Sequence, residues 1–381
     1  MPPTSPKTIP DPVLLLQKLI RIPSADPPGG ELAVAELVAD AMRAAGIETE
    51  LDEFLPGRAN VLGRIRGTGG ARPIVFSSHM DTVPVGDLPW SFDPFGGDLV
   101  DGRVRGRGAT DMKSALAAFV SAGAMLASRD TAPKGDVILA FTAGESANCL
   151  GAKRFVEQGL QAEIGAFLCG EPSSLDVVVV EKAILWLEAR AEGQVGHVSG
   201  TGGVNAISLM ARFIAALDAA VLDVPAHPLL TGPSVTVGRI SGGTAVNVTP
   251  DLCTAEIDVR FPPGVDRAGI IRQLRALAPD GVSLTETDFK PAVEAAPDSA
   301  FVRVCQDAAR AETGRDAAIR GVSYYSDGAI LLDGLHDTPF AIVGPGDLGL
   351  SGMVDETVAA EAVGQAARIY LRIVDAWFAR R

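Results

Sequence analysis

The chain has 381 residues, 47% hydrophobic and 21% charged, with a net charge of -14 and a pI near 4.8. That length exceeds one ordinary core and predicts two domains, and the acidic balance, without a run of Lys or Arg, excludes a polyanion such as nucleic acid as partner. No apolar run approaches the roughly 20 residues of a membrane span, and Met1 to Pro12 lacks the charged and apolar regions of a signal peptide, so a cytoplasmic protein is expected.

In chain order, an amphipathic stretch from Asp11 to about Ile22 precedes a helix that starts at Glu31 and stops at Gly46. Asn60 to Ile65 and Pro73 to Ser78 read as strands, Ser114 to Ser128 as a helix, and Val137 to Thr142 and Gly165 to Cys169 as buried strands. This alternation predicts a layered α/β domain. From about Leu185 the order changes: a strand at Trp186 to Ala191, a helix at Val204 to Leu222, strands at Ser234 to Ile240 and Cys253 to Arg260, a helix at Arg267 to Ala278 and a strand at Val282 to Thr287. That is a compact insert. The α/β pattern resumes near Pro291 with a helix from Ser299 to Thr313, a strand at Pro339 to Val343 and a last helix from Asp355 to Ala379. The expected domains are therefore 1–184 with 291–381, and 185–290. Cys149, Cys169, Cys253 and Cys305 stand apart without a C-x-x-C pair, which points to core packing rather than to disulfides or zinc.

His79 follows the strand at Pro73, where a strand leaves an open sheet, the usual edge for ligands. Asp81, two residues on, is placed to hold the imidazole as an outer carboxylate and fix its tautomer. Alone, H-x-D equally suits a histidine in an ordinary hydrogen bond. Asp111 follows a glycine-rich turn, Gly106-Arg107-Gly108-Ala109-Thr110, at the start of a predicted helix, where it also suits a helix cap. Glu145 in Gly144-Glu145-Ser146 stands at a strand end, able to activate water as general base, and Glu171 in Gly170-Glu171-Pro172 is a third acid at a strand end. Three carboxylates and a histidine at one edge fit a zinc-type site with one nitrogen and two oxygen ligands and room for water.

Together Ser78-His79-Met80-Asp81-Thr82-Val83-Pro84, Gly106 to Lys113, Gly170-Glu171-Pro172 and Gly344-Pro345-Gly346-Asp347 resemble the M20 metallopeptidases, the family of acetylornithine deacetylase, succinyl-diaminopimelate desuccinylase and carboxypeptidase G2. The resemblance runs nearly end to end. It implies a zinc-peptidase-like three-layer α/β catalytic domain carrying an inserted two-layer α+β, ferredoxin-like, dimerisation and lid domain, in a homodimer. It further implies His79 and Glu171 as ligands of a first metal, Asp111 as a carboxylate bridging two metals, Glu145 as general base and Asp81 as the residue orienting His79. In the insert, His197 resembles the histidine that reaches across a dimer to the oxyanion, Asn247 a substrate contact, and Arg260 the arginine that grips a substrate carboxylate. Ser326, in Ser326-Asp327-Gly328, resembles a loop near the substrate.

Two positions depart from the family pattern. Ser146 stands where a second acid binds the second metal, and Gly352 where a late histidine does, with no histidine after His336. Both losses fall on one metal, so a single divalent ion, zinc, is expected, with the second site empty. The expected activity is hydrolysis of the amide bond in an N-acyl amino acid or small peptide-like substrate bearing a carboxylate. An amide-forming, lyase or isomerase reaction at the same site, or a non-catalytic binding protein, are the alternatives.

Overall fold

A computed structural model describes residues 7–146, 148–197, 199–200 and 203–380. Contacts divide the chain into two compact units: the first runs to Val179 and takes in Glu294–Arg320 and everything from Ser326, and the second comprises Val180–Val293 with Gly321–Tyr325.

The first unit is built on a mixed sheet. Its strands lie in the order Glu48–Leu55, Arg58–Ile65, Val137–Thr142, Ile74–His79, Ala166–Cys169, Phe340–Ile342 and Val177–Glu181, the last of which also pairs with the short strands Val293–Glu294 and Ile319–Val322. Val137–Thr142, Ile74–His79, Ala166–Cys169 and Phe340–Ile342 run parallel. Every residue of these four strands is buried, which requires cover on both sheet faces and gives the three-layer architecture. Part of that cover is aromatic. Phe76 stacks on Phe119 of the helix Lys113–Ala127 at 4.9 Å between centroids, and Phe119 on Tyr370 of the helix Ala360–Ala379 at 4.1 Å. The Tyr370 hydroxyl donates to Val343 O at 2.9 Å, so its buried polar end is satisfied.

Sequence periodicity misses several elements here, the strand Val177–Glu181 among them. Glu48–Leu55 is rich in acids, yet forms an edge strand, antiparallel to Arg58–Ile65, with one face wet. The helix Leu150–Glu157 is eight residues long, shorter than the window over which helical periodicity can be read. The last helix begins at Ala360 rather than Asp355, because Thr357–Ala359 pairs as a strand with Arg103–Arg105. The helix Leu32–Ala44 does end before Gly46, whose φ of 77° is the left-handed conformation that glycine adopts without strain.

The second unit is a four-stranded antiparallel sheet in the order Ser234–Gly242, Leu252–Phe261, Ala183–Glu192, Val282–Lys290. Alternate residues of Ala183–Glu192 are buried, among them Leu185, Leu187, Ala189 and Ala191, and they pack with Phe213 of the helix Ala206–Asp218 and Ile270 of the helix Arg267–Leu277. One covered face and one open face make this a two-layer α+β unit. No helix among the described residues is long and apolar enough to cross a membrane.

Candidate metal centre

Because Ile74–His79 lies between Val137–Thr142 and Ala166–Cys169 and parallel to both, the carboxyl ends of the three strands open on one edge. His79 ends its strand opposite Thr142. Glu145 follows Thr142 through Ala143-Gly144, and Glu171 follows Cys169 through Gly170. Asp111 arrives from elsewhere, on the turn before Lys113–Ala127.

That turn is fixed by Glu356, whose buried carboxylate accepts from the backbone N–H of Gly108 at 3.1 Å, Thr110 at 2.7 Å and Asp111 at 3.0 Å, and from Arg107 Nη1 at 2.7 Å. Gly344-Pro345-Gly346 closes the gap between turns. A Cβ on Gly344 would fall 2.1 Å from Gly170 O, and one on Gly346 2.2 Å from Thr110 O, so only glycine lets the turns before Glu171 and Asp111 share this segment. Replacing Glu356 with alanine leaves Arg107 buried and three amides unpaired. We expect a loss of about 3–5 kcal/mol in unfolding free energy by urea titration; a loss below about 1 kcal/mol would remove Glu356 from this role.

His79, Asp111 and Glu171 each offer a ligand atom, all within 4.8 Å of one another. His79 Nε2 lies 3.0 Å from Asp111 Oδ1 and 3.6 Å from Glu171 Oε1. Nδ1 donates to the backbone carbonyl of Asp81 at 3.0 Å, which leaves the Nε2 lone pair for a ligand. The Asp81 carboxylate therefore does not make the expected primary contact: it stands 3.6 Å from Nδ1 and accepts from the backbone N–H of Glu145 and Ser146, at 3.0 Å each. Asp81 thus orients His79 through its main chain and anchors the Glu145 turn through its side chain.

Burial opposes charge on His79, but the carboxylates of Asp81, Glu171 and Asp111 outweigh it and hold the imidazole pKa well above its ordinary value. Burial also pushes the Asp111 carboxyl up, but His79 and the Ser351 hydroxyl outweigh it and keep it below the usual range. Glu171 is driven well up by burial and by Asp111, and Glu145 by burial, with Asp327, Asp81 and Asp111 adding to it against the pull of His79. Two carboxylates converging on a nitrogen lone pair need a positive charge between them. A proton or a divalent ion supplies it, so one nitrogen and two oxygens, with His79 held by Asp81 O and Asp111 by Ser351, fit a metal ion of the zinc type.

Ser326 is buried and its hydroxyl accepts from Gly328 N at 3.1 Å. Ser146 places its amide on Asp81, and Gly352, with φ 69°, leaves open space, since a Cβ there would meet only Val83 Cγ2 at 3.6 Å. In the second unit, His197 is exposed with Nδ1 2.6 Å from Ser199 Oγ, and Asn247 lies exposed in a turn. Arg260 is not free: Nε and Nη2 donate to Asp258 at 2.9 and 3.2 Å and Nη1 to Ser323 O at 2.8 Å. Sequence reasoning missed three residues here. Ser351 donates to Asp111 Oδ2 at 2.5 Å, next to the flagged Gly352. Asp327 is buried and accepts from the Thr142 hydroxyl, its carboxyl pushed up to about 6 chiefly by burial. Nothing in the chain's spacing marks Glu356.

The family model described as peptidase family M20/M25/M40 matches residues 75–376. The succinyl-diaminopimelate desuccinylase of Paracoccus denitrificans (strain Pd 1222) is 33% identical, over 97% of this chain and 99% of that protein. Among solved structures, the M20 family metallo-carboxypeptidase Sso-CP2 from Sulfolobus solfataricus is similar at a TM-score of 0.82, with 15% identity over 97% of this chain and 100% of that one. The YXEP protein of Bacillus subtilis, a dinuclear metal-binding peptidase from the M20 family, gives 0.71, with 18% identity over 95% of this chain and 96% of that one. Fold, site and relatives define a metal-dependent amide hydrolase. The chain belongs to the M20/M25/M40 peptidase family.

Proposed function

We propose that this protein is a cytoplasmic, one-metal hydrolase of an N-acylated amino acid or small peptide-like amide, with zinc as its ion. The observation that carries the single ion is the hydrogen bond from Ser351 to Asp111 Oδ2. A carboxylate that bridges two ions turns one oxygen to each, whereas here Oδ1 faces His79 and Oδ2 is taken by a neutral hydroxyl. Ser146 and Gly352 bring neither a carboxylate nor an imidazole to the vacated side.

His79, Asp111 and Glu171 would hold the ion, two negative charges and one neutral imidazole against a divalent cation. When bound there, the ion supplies Lewis-acid polarisation of the scissile carbonyl. Glu145 takes a proton from water as the water oxygen bonds to the acyl carbon, then gives that proton to the amine nitrogen as the C–N bond breaks. One water is consumed, and a carboxylic acid and an amine leave. We assign His197, acting from a partner subunit, to the oxyanion, and Asn247, Arg260 and Ser326 to a carboxylate-bearing substrate. Asp258 holds the Arg260 fork in one orientation and leaves two of its five N–H groups for a ligand. A homodimer is supported by the outer strand Ser234–Gly242, an edge of its sheet with Ile240 exposed.

The relatives named as desuccinylases make N-succinyl amines the first compounds to try. Zinc-loaded protein is offered a panel of N-acyl amino acids that includes N-succinyl-diaminopimelate, in water enriched in oxygen-18. Label in the released acid, with one amine per acid, is the expected result. Conversion without label would move the protein to the amide-forming, lyase or isomerase class, and binding without conversion would make it a receptor.

A further inference from the structure

Behind the Glu145 turn lies a second buried acidic group, formed by Asp26, Glu31 and Asp81, with a carboxylate oxygen of each within 4.8 Å of the others. The guanidinium of Arg58, the first residue of the strand Arg58–Ile65, bonds two of these acids, Asp26 and Glu31, and acts on Asp81 through its charge. Arg58 Nη2 and Nη1 grip Asp26 at 2.8 and 3.0 Å, Nη1 lies 3.4 Å from Glu31 Oε1, and Nη2 also donates to Pro28 O at 2.7 Å. The same group presses on the catalytic turn: a Cβ on Gly144 would fall 2.6 Å from Arg58 Nη1. Gly144 has φ 68°, so glycine both makes the bend into Glu145 and leaves room for the guanidinium against its Cα.

Asp26 is tied to the segment after His79 as well. Its N–H donates to Thr82 O at 2.8 Å, Thr82 N donates to Ser24 O at 3.0 Å, and the Ser24 hydroxyl donates to Met80 O at 2.8 Å. We infer that Arg58 is a positioning residue for Glu145: it holds three buried carboxylates together, so that Asp81 keeps both oxygens on the amides of Glu145 and Ser146 while the guanidinium backs Gly144. Without that cation the three acids repel one another in a site from which water is largely excluded. Asp81 then swings away from the amides of Glu145 and Ser146, which releases the turn that presents the base. The inference rests on the reading of Glu145 as general base, but the hold on the turn can be read without any substrate.

The test is hydrogen exchange by mass spectrometry on the zinc-loaded full chain, comparing wild type, Arg58→Ala and Arg58→Lys, with kinetics on whichever panel compound wild type cleaves fastest. In Arg58→Ala we expect exchange across 142–150 to rise at least about 10-fold, with the second unit unchanged. We expect kcat to fall about 100-fold, as displacement of a reacting group implies, with KM and metal content held. Ethylguanidinium should restore part of both effects and ethylammonium should not, which a loss of general stability would not produce. Arg58→Lys keeps the charge without the two-pronged grip and should lie between, and it serves alone should the alanine variant fail to fold. Unchanged exchange in the turn, or kcat within about 3-fold of wild type in both variants, would overturn the inference. If Glu145→Gln keeps full turnover while Arg58→Ala loosens the turn, the general-base reading has failed and the hold by Arg58 stands.

Discussion

Replacing Glu145 with glutamine is expected to lower kcat by about 10²–10⁴-fold with metal content unchanged. Glutamine keeps the volume of a side chain that is 8% exposed, and the backbone N–H bond to Asp81 does not depend on the side chain, so the turn should stay in place. What is removed is the capacity to accept a proton. Burial raises the Glu145 carboxyl well above its usual range, with His79 pulling against it and Asp327, Asp81 and Asp111 adding to it, a setting in which the carboxylate has more than ordinary affinity for the proton of an attacking water. Initial rates at saturating substrate, with elemental analysis of the same preparation, separate lost chemistry from a lost ion. Turnover within a few-fold of wild type would remove Glu145 from its assigned role.

Metal stoichiometry is the second large effect. Native mass spectrometry after zinc loading and desalting should find one ion per chain in the wild type and none in His79→Ala. His79 supplies the sole nitrogen among the three converging donors, so its removal should weaken binding by more than the roughly 10–100-fold that loss of an outer hydrogen-bond partner costs. Two retained ions would overturn the one-metal reading and show that Ser351 yields Asp111 Oδ2 to a cation. No ion in the wild type would exclude metal-assisted hydrolysis.

Glu356, Ser351 and Arg58 share a reason for being invisible in the sequence. Glu356 binds amides some 245 residues earlier in the chain, Ser351 lies 240 residues from Asp111, and Arg58 meets Asp26 across 32 residues and Gly144 across a packing contact. A lone acid, serine or arginine in a loop or at a strand's first position carries no periodicity, so only the folded chain identifies its partner. The edge strand Glu48–Leu55 was hidden differently, because its acidic residues can stay in water while its backbone pairs with Arg58–Ile65.

What the sequence determined by itself was the set of strand-end residues and the kind of chemistry they permit. His79, Glu145 and Glu171 each stand at the end of a run of β-branched and apolar residues that must be buried, His79 as its last residue and the two glutamates after a local turn, so a short stretch of chain fixes both the strand and the place of the group at its end. The tertiary structure alone decided how those groups are held. It set the Asp81 carboxylate on the Glu145 turn rather than on His79, paired Arg260 with Asp258, and gave Asp111 a serine hydroxyl on its second oxygen. Burial and pattern are local properties of a strand, whereas the partner of a buried charge is chosen by which distant segments the sheet order brings together.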